Sequence, residues 1–148
     1  MRDRAVSTSL NYSLTLAIST LLVVGLLTAG GTFVDEQRKD VVDSELQVIG
    51  ERLASDLATA DRLARVGGGA AVVNVTSRLP AAVSGKSYTV AVTASDGNAT
   101  LVLSPNGANR NVTVPVANRT AIQPTRVVSG DLLIAYDAAA DELEVTND

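Results

Sequence analysis

The sequence predicts an α+β protein: one long N-terminal α-helix, half transmembrane and half amphipathic, followed by a small antiparallel β-sheet head of about six strands. Three observations carry that prediction. An uncharged run from Leu10 to Val34 has the length of a membrane span, an apolar stripe with helical spacing follows it, and short alternating runs between turn residues fill the remainder. The layout this implies is a leader over residues 1–5, a membrane helix over 6–34, its amphipathic extension over 35–66 and an extracytoplasmic head over 67–148.

The apolar run comes first. At about 1.5 Å per helical residue, roughly 25 residues cover the roughly 30 Å hydrocarbon core of a bilayer. Leu14, Leu16, Ile18, Leu21, Leu22, Val23, Val24, Leu26 and Leu27 spread around the whole helix circumference. A soluble core helix shows one apolar stripe instead, so it is a poor account of this segment. The hydroxyls of Ser9, Ser13, Ser19, Thr20 and Thr28 weaken the apolar signal without breaking it, because Ser and Thr can bond back to their own helix.

After Val34 the chain becomes charged, through Asp35, Glu36, Arg38, Lys39 and Asp40, yet no proline interrupts it. Val42, Leu46, Ile49, Leu53, Leu57, Ala60 and Ala64 recur every three or four residues and form one face. That face is expected to pack on the head; a coiled coil with another subunit is the alternative. The helix should stop near Val66, where Gly67-Gly68-Gly69 follows. Each of Gly30 and Gly31 weakens the helix by about 1 kcal/mol, and a bend or local melt is expected there.

In the head, Ala71–Thr76 reads as a first strand, and Ser87–Thr93 alternates with Tyr88, Val90 and Val92 on one face. Asp96-Gly97 marks a tight turn into Ala99–Leu103. Asn111–Val116 follows, and because Pro115 has no N–H it should be an edge strand or end there. Leu132–Tyr136 and Leu143–Thr146 form a last hairpin around Asp137–Asp141. Its core should be Val, Leu and Ile with Tyr88 and Tyr136. A head this small lacks apolar surface of its own, so the amphipathic helix is expected to supply a layer.

Composition excludes several chemistries. Without cysteine there is neither a disulfide nor a thiolate site, and without histidine the commonest general base and zinc ligand are both missing. The net charge of -4 argues against nucleic acid. Only Lys39 and Lys86 are lysines, and scarce Lys with abundant Asp, Glu, Ala, Val and Thr fits a halophilic surface; an ordinary acidic domain is the alternative. Acidic clusters at Asp35, Glu36, Asp40 and Asp43, and at Asp137, Asp141, Glu142 and Glu144, read as solvated faces, because no calcium loop pattern surrounds them. No metal, no cofactor and no catalytic constellation is expected, and the chain does not read as an enzyme.

The clearest motif is Asn-x-Ser/Thr. Asn74, Asn98, Asn111 and Asn118 each open a glycosylation sequon in the head, against roughly one or two expected by chance, which points to an extracytoplasmic surface. Asn98 and Asn118, beside turn-like sequence, are the better acceptors. Asn11 also fits the pattern but lies in the apolar run.

Arg4-Ala5-Val6-Ser7, a basic residue and a small residue placed directly before a membrane-length helix, resembles the class III signal of archaeal (haloarchaeal-type) type IV pilin-like precursors. The resemblance implies a prepilin peptidase that cuts between Ala5 and Val6 and leaves the helix on the mature protein. It also implies partners among other pilin-like subunits, met through that helix. Thr8 stands where many members have proline, and Leu10 where many pilins carry glutamate at the fifth mature position. Without that carboxylate a minor or accessory subunit fits better than a major one. Two other fates stay open: a conventional signal cut near Ala29, and an uncleaved anchor. Arg2 and Arg4 favour a cytoplasmic N-terminus with the head outside, in membrane lipid as a single pass. A stand-alone anchored β-domain that binds an envelope partner or ligand is the alternative function.

Overall fold

A computed structural model describes the backbone of residues 2–68, 72–95, 97–107 and 109–148, and their side chains from residue 11 onward. One helix, α1 (Arg2–Val66), is followed by eight strands: β1 (Asn74–Ser77), β2 (Tyr88–Ser95), β3 (Asn98–Pro105), β4 (Val112–Val116), β5 (Ala121–Ile122), β6 (Thr125–Val128), β7 (Leu132–Asp137) and β8 (Glu142–Asn147). The chain divides into two compact units, Met1–Val41 and Val42–Asp148.

In the first unit the helix runs without interruption. Gly30 and Gly31 are helical, contrary to the melt expected there. Glycine lowers helix stability but still donates its N–H, so the hydrogen-bond ladder survives. The threonine hydroxyls turn inward as expected: Thr20 Oγ1 donates to the Leu16 carbonyl at 2.8 Å and Thr28 Oγ1 to that of Val24 at 2.9 Å.

In the second unit the strands form two four-stranded sheets, ordered β1-β7-β8-β5 and β4-β3-β2-β6. The alternation in the sequence sets the inward faces. Tyr88, Val90 and Val92 of β2 are buried, and across the β2–β3 ladder Val90 opposes Leu103 and Val92 opposes Leu101. In the other sheet Ile134 opposes Val145, both buried. β4 is an edge strand, the position Pro115 requires.

Two strands escape a sequence reading of about six. β5 has only two residues, too few for any periodicity, and pairs parallel to β8 through Ala121–Glu142 and Ile122–Leu143. β6 is a four-residue run that alternates weakly. The start of the first strand also moves. Val72 is 88% exposed and precedes β1, which begins at Asn74, while Ala71 lies outside the described residues. Tyr136 is only half-buried at the margin of the core, because its hydroxyl reaches outward to Asp141 at 2.7 Å.

The second half of α1 completes this core. Leu46, Leu53, Leu57 and Ala60 are fully buried, Ile49 and Ala64 nearly so, and Val42 is half-buried, all in one cluster with both sheets. Gly50 sits within that face, and a Cβ built there would lie 2.7 Å from Val114 Cγ2 and 3.0 Å from Leu103 Cδ1. The missing side chain lets the helix backbone approach β3 and β4 closely. The helix then stops as its glycines predict: Gly67 N–H donates to the Leu63 carbonyl at 3.0 Å and Gly68 adopts φ +63°. Gly69 lies outside the described residues.

Loops tie the core's rim. Ser84 and Gly85, at φ +48° and +76°, form a two-residue turn between Val83 and Lys86. The Tyr88 hydroxyl donates to the Pro80 carbonyl at 2.8 Å, and burial pushes its pKa up to about 12, so it stays a donor throughout the neutral range. Asn147 Nδ2 donates to the Val128 carbonyl at 2.9 Å, and its Oδ1 accepts the Val128 N–H at 3.3 Å, joining β8 to the edge strand β6.

The two kinds of helix glycine should respond oppositely to alanine. Gly50→Ala overpacks Val114 and is expected to destabilise the head by about 1–3 kcal/mol. Gly30→Ala meets nothing within 4 Å and should leave head stability unchanged. Thermal unfolding of both variants in the same detergent, followed by near-ultraviolet circular dichroism, checks this; equal melting temperatures would show that Gly50 is not a close-approach position.

Candidate functional site

The largest feature that the head's own core does not explain is the apolar run itself. Tyr12, Leu14, Leu16, Ile18, Leu21, Leu22, Val23, Val24, Leu26, Leu27, Phe33 and Val34 are all at least half or nearly half exposed, with Leu26 at 75%. Among the described residues of Leu10–Val34, none is buried. A soluble protein does not leave a continuous apolar cylinder of this size in water. The segment is long and apolar enough to cross a membrane, which is consistent with an anchor or a signal sequence. The Arg4, Ala5 and Val6 backbone belongs to α1, and their side chains lie outside the described residues.

The sequon asparagines occupy different settings. Asn74, Asn98 and Asn111 are exposed, although Asn111 Oδ1 accepts from Ser104 Oγ at 2.8 Å. Asn118 is half-buried and fully used. Its Oδ1 accepts the Ala99 N–H at 2.9 Å, and its Nδ2 donates to the carbonyls of Thr120 at 3.0 Å and Gly97 at 3.3 Å. Proximity to turn-like sequence therefore ranks Asn98 and Asn118 together, whereas the fold separates them. Asn118 closes the loop between β4 and β5 onto the β2–β3 turn.

The acidic residues do not converge. Among the described residues no group of three or more His, Cys, Asp or Glu side chains is placed to hold a metal ion. Asp43 pairs with Arg110. Asp137 Oδ1 accepts the Ala139 N–H at 2.8 Å, and Asp141, at φ +54°, accepts the Tyr136 hydroxyl; that bond and nearby carboxylates raise the tyrosine pKa. These carboxylates shape the β7–β8 turn.

Among the described residues, two shallow grooves lie beside the docked helix. One, about 460 Å³, is lined by Ser44, Glu45, Val48, Ile49, Pro80 and Val83. The other, about 340 Å³, lies where α1 ends, between Ala58, Asp61, Arg62 and Arg65 on the helix and Asn118 and Arg119 on the β4–β5 loop.

Asp61, at the floor of the second groove, was not among the residues that the sequence singled out. Its side chain is buried, and its Oδ1 accepts the N–H groups of Thr120 at 2.7 Å and Arg119 at 3.1 Å. Its Oδ2 pairs with Arg65 at 3.0 Å. Burial alone would raise its pKa, but the hydrogen bonds from Thr120 and Arg119 and the Arg65 guanidinium together hold it below the usual 3.8. The signal was present in the spacing: Asp61 lies four residues after Leu57 and three before Ala64, on the margin of the apolar stripe. A second helix–strand link sits nearby, where Ser77 Oγ, buried on β1, donates to Asp56 Oδ2 at 2.6 Å.

This latch has a pH signature. With the folded pKa depressed, the unfolded chain binds the proton more readily. The stabilisation is therefore complete above the ordinary carboxylate range and is lost as pH falls through the folded value. Asp61→Ala leaves the buried Thr120 N–H unpaired and should cost about 1–3 kcal/mol at neutral pH. Asp61→Asn keeps an acceptor oxygen but not the charge, so it should cost less and flatten the fall in stability below about pH 4. Denaturant unfolding of the three proteins across acid pH measures both effects, and identical acid slopes in all three would remove Asp61 from this role.

No curated protein and no solved structure matches the chain. A family model does match it, over residues 1–147, nearly the whole sequence. The architecture, a long apolar N-terminal helix followed by a β-sheet domain, is pilin-like. The chain belongs to the family of unknown function DUF7266.

Proposed function

We propose that this protein is a pilin-like cell-surface structural protein, a minor or accessory subunit of a type IV pilus-like filament rather than an enzyme. One observation carries the reading. A single helix has an apolar first half whose described side chains, from residue 11 to Val34, are all exposed, and a second half whose stripe is buried in a β head. The uncovered half needs lipid, or a bundle of like helices, to shield it. The two halves belong to one helix, α1 (Arg2–Val66).

In this reading a prepilin peptidase cuts between Ala5 and Val6, and the helix stays on the mature chain. The N-terminus begins in the cytoplasm, the span is single, and the head stands outside. Subunits associate through their apolar helices while the acid-rich heads face solvent. Leu10, in place of a pairing carboxylate, keeps the second reading in view: a stand-alone anchored head that binds an envelope partner or ligand.

Intact-mass spectrometry of the protein purified from its native membrane is expected to give a chain that starts at Val6. Shearing the cells should then release part of it with the filament fraction. A start at Met1 with no release favours the stand-alone anchor, and a soluble product cut near Ala29 defeats both readings. Glycopeptide mapping tests the outward placement of the head. Modification is expected at Asn98 and Asn74, and least at Asn118, whose Nδ2 hydrogens are both engaged. Mapping that finds all four sites bare would withdraw the glycoprotein part of the proposal.

A further inference from the structure

The groove at the end of α1 gathers positive charge on a chain whose net charge is -4. Arg62, Arg65 and Arg119 line it, against the single carboxylate of Asp61. That carboxylate is already committed, with one oxygen on the Thr120 and Arg119 N–H groups and the other on Arg65. It has no oxygen left for the other two arginines. Arg62 finds only a neutral acceptor, Thr59 Oγ1, at 3.2 Å. The Arg119 guanidinium has no protein partner among the described residues, although its own backbone is pinned to Asp61.

Two guanidinium groups thus border one groove with their charge unanswered, and they stand on different elements held together by the Asp61 latch. Fork-shaped N–H donors of this kind match the paired oxygens of carboxylate, sulfate and phosphate. The Asn118 side chain, whose polar atoms all serve the loop, forms a neutral wall.

We infer that the groove formed by Arg62, Arg65 and Arg119 is an anion-binding site of the head, which takes an oxyanion group, sulfate, phosphate or carboxylate, as a free ion or carried on a polymer. Arg62 and Arg119 supply the uncommitted forks. Arg65, tied to Asp61, lines the groove between them. The site is open to solvent, so a single free anion should bind on the order of millimolar, and several anionic groups on one chain should bind more tightly.

The test uses the full chain in nonionic, phosphate-free maltoside micelles, with arginine Nε–H signals followed by nuclear magnetic resonance. Sodium sulfate, phosphate and acetate are each titrated against sodium chloride at equal ionic strength. Saturable shifts of the Arg62 and Arg119 signals with any of the three, absent with chloride, are expected. The double variant Arg62→Gln/Arg119→Gln removes those two signals, so its response is read on the Arg65 Nε–H and the Asn118 backbone amide. Both should shift with the anion in the unaltered protein and not in the variant, while the Thr120 amide, bonded to Asp61, keeps its position and reports an intact fold. Dextran sulfate separates the sources: tighter binding per sulfate than the free ion marks a polymer, and equal binding marks the ion. A response equal to that of chloride in the unaltered protein, or one that survives in the double variant, overturns the inference.

Discussion

The structure depends on the burial of one helical stripe. The two sheets are built from short strands with little aromatic content, and their inward faces share a core with Leu46, Leu53, Leu57 and Ala60 of α1. Those side chains form a layer that strands of two to eight residues do not supply. Hydrophobic burial is undirected, so polar contacts settle the register of the helix on the sheets. Asp61 engages the β4–β5 loop, Asp56 engages β1, and Asp43 engages Arg110 before β4. The apolar face accounts for the docking, and the carboxylates account for where along the helix it happens.

The close approach at Gly50 belongs to the same contact. A glycine in a helix interior costs conformational entropy, and here the compensation is backbone-to-side-chain contact with β3 and β4. Gly30 and Gly31 have no such neighbours. They lie in the apolar half, where small residues are tolerated and where helices that pack in lipid can approach closely. The same residue type thus serves an internal contact at Gly50 and meets nothing within 4 Å at Gly30 and Gly31.

The arginine-lined groove at the end of α1 differs from the rest of the head because it opposes the overall sign of the chain.

Much of this was legible in the sequence because it rests on local periodicity. The membrane-length run, the stripe from Val42 to Ala64, the stop at Gly67 and the faces of β2, β3, β7 and β8 all follow from spacing and turn chemistry within a few residues. What only the tertiary structure decided depends on partners distant in the chain. β5 exists because Leu143 lies alongside Ile122, Gly50 matters because Val114 comes within reach, and Asn118 is occupied because Gly97 and Thr120 offer it carbonyls. Asp61 looks like any surface carboxylate until Thr120 and Arg119 fold over it. Periodicity records which way a side chain faces; the identity of the group it meets is set by chain crossings between residues far apart in the sequence, which no local pattern encodes.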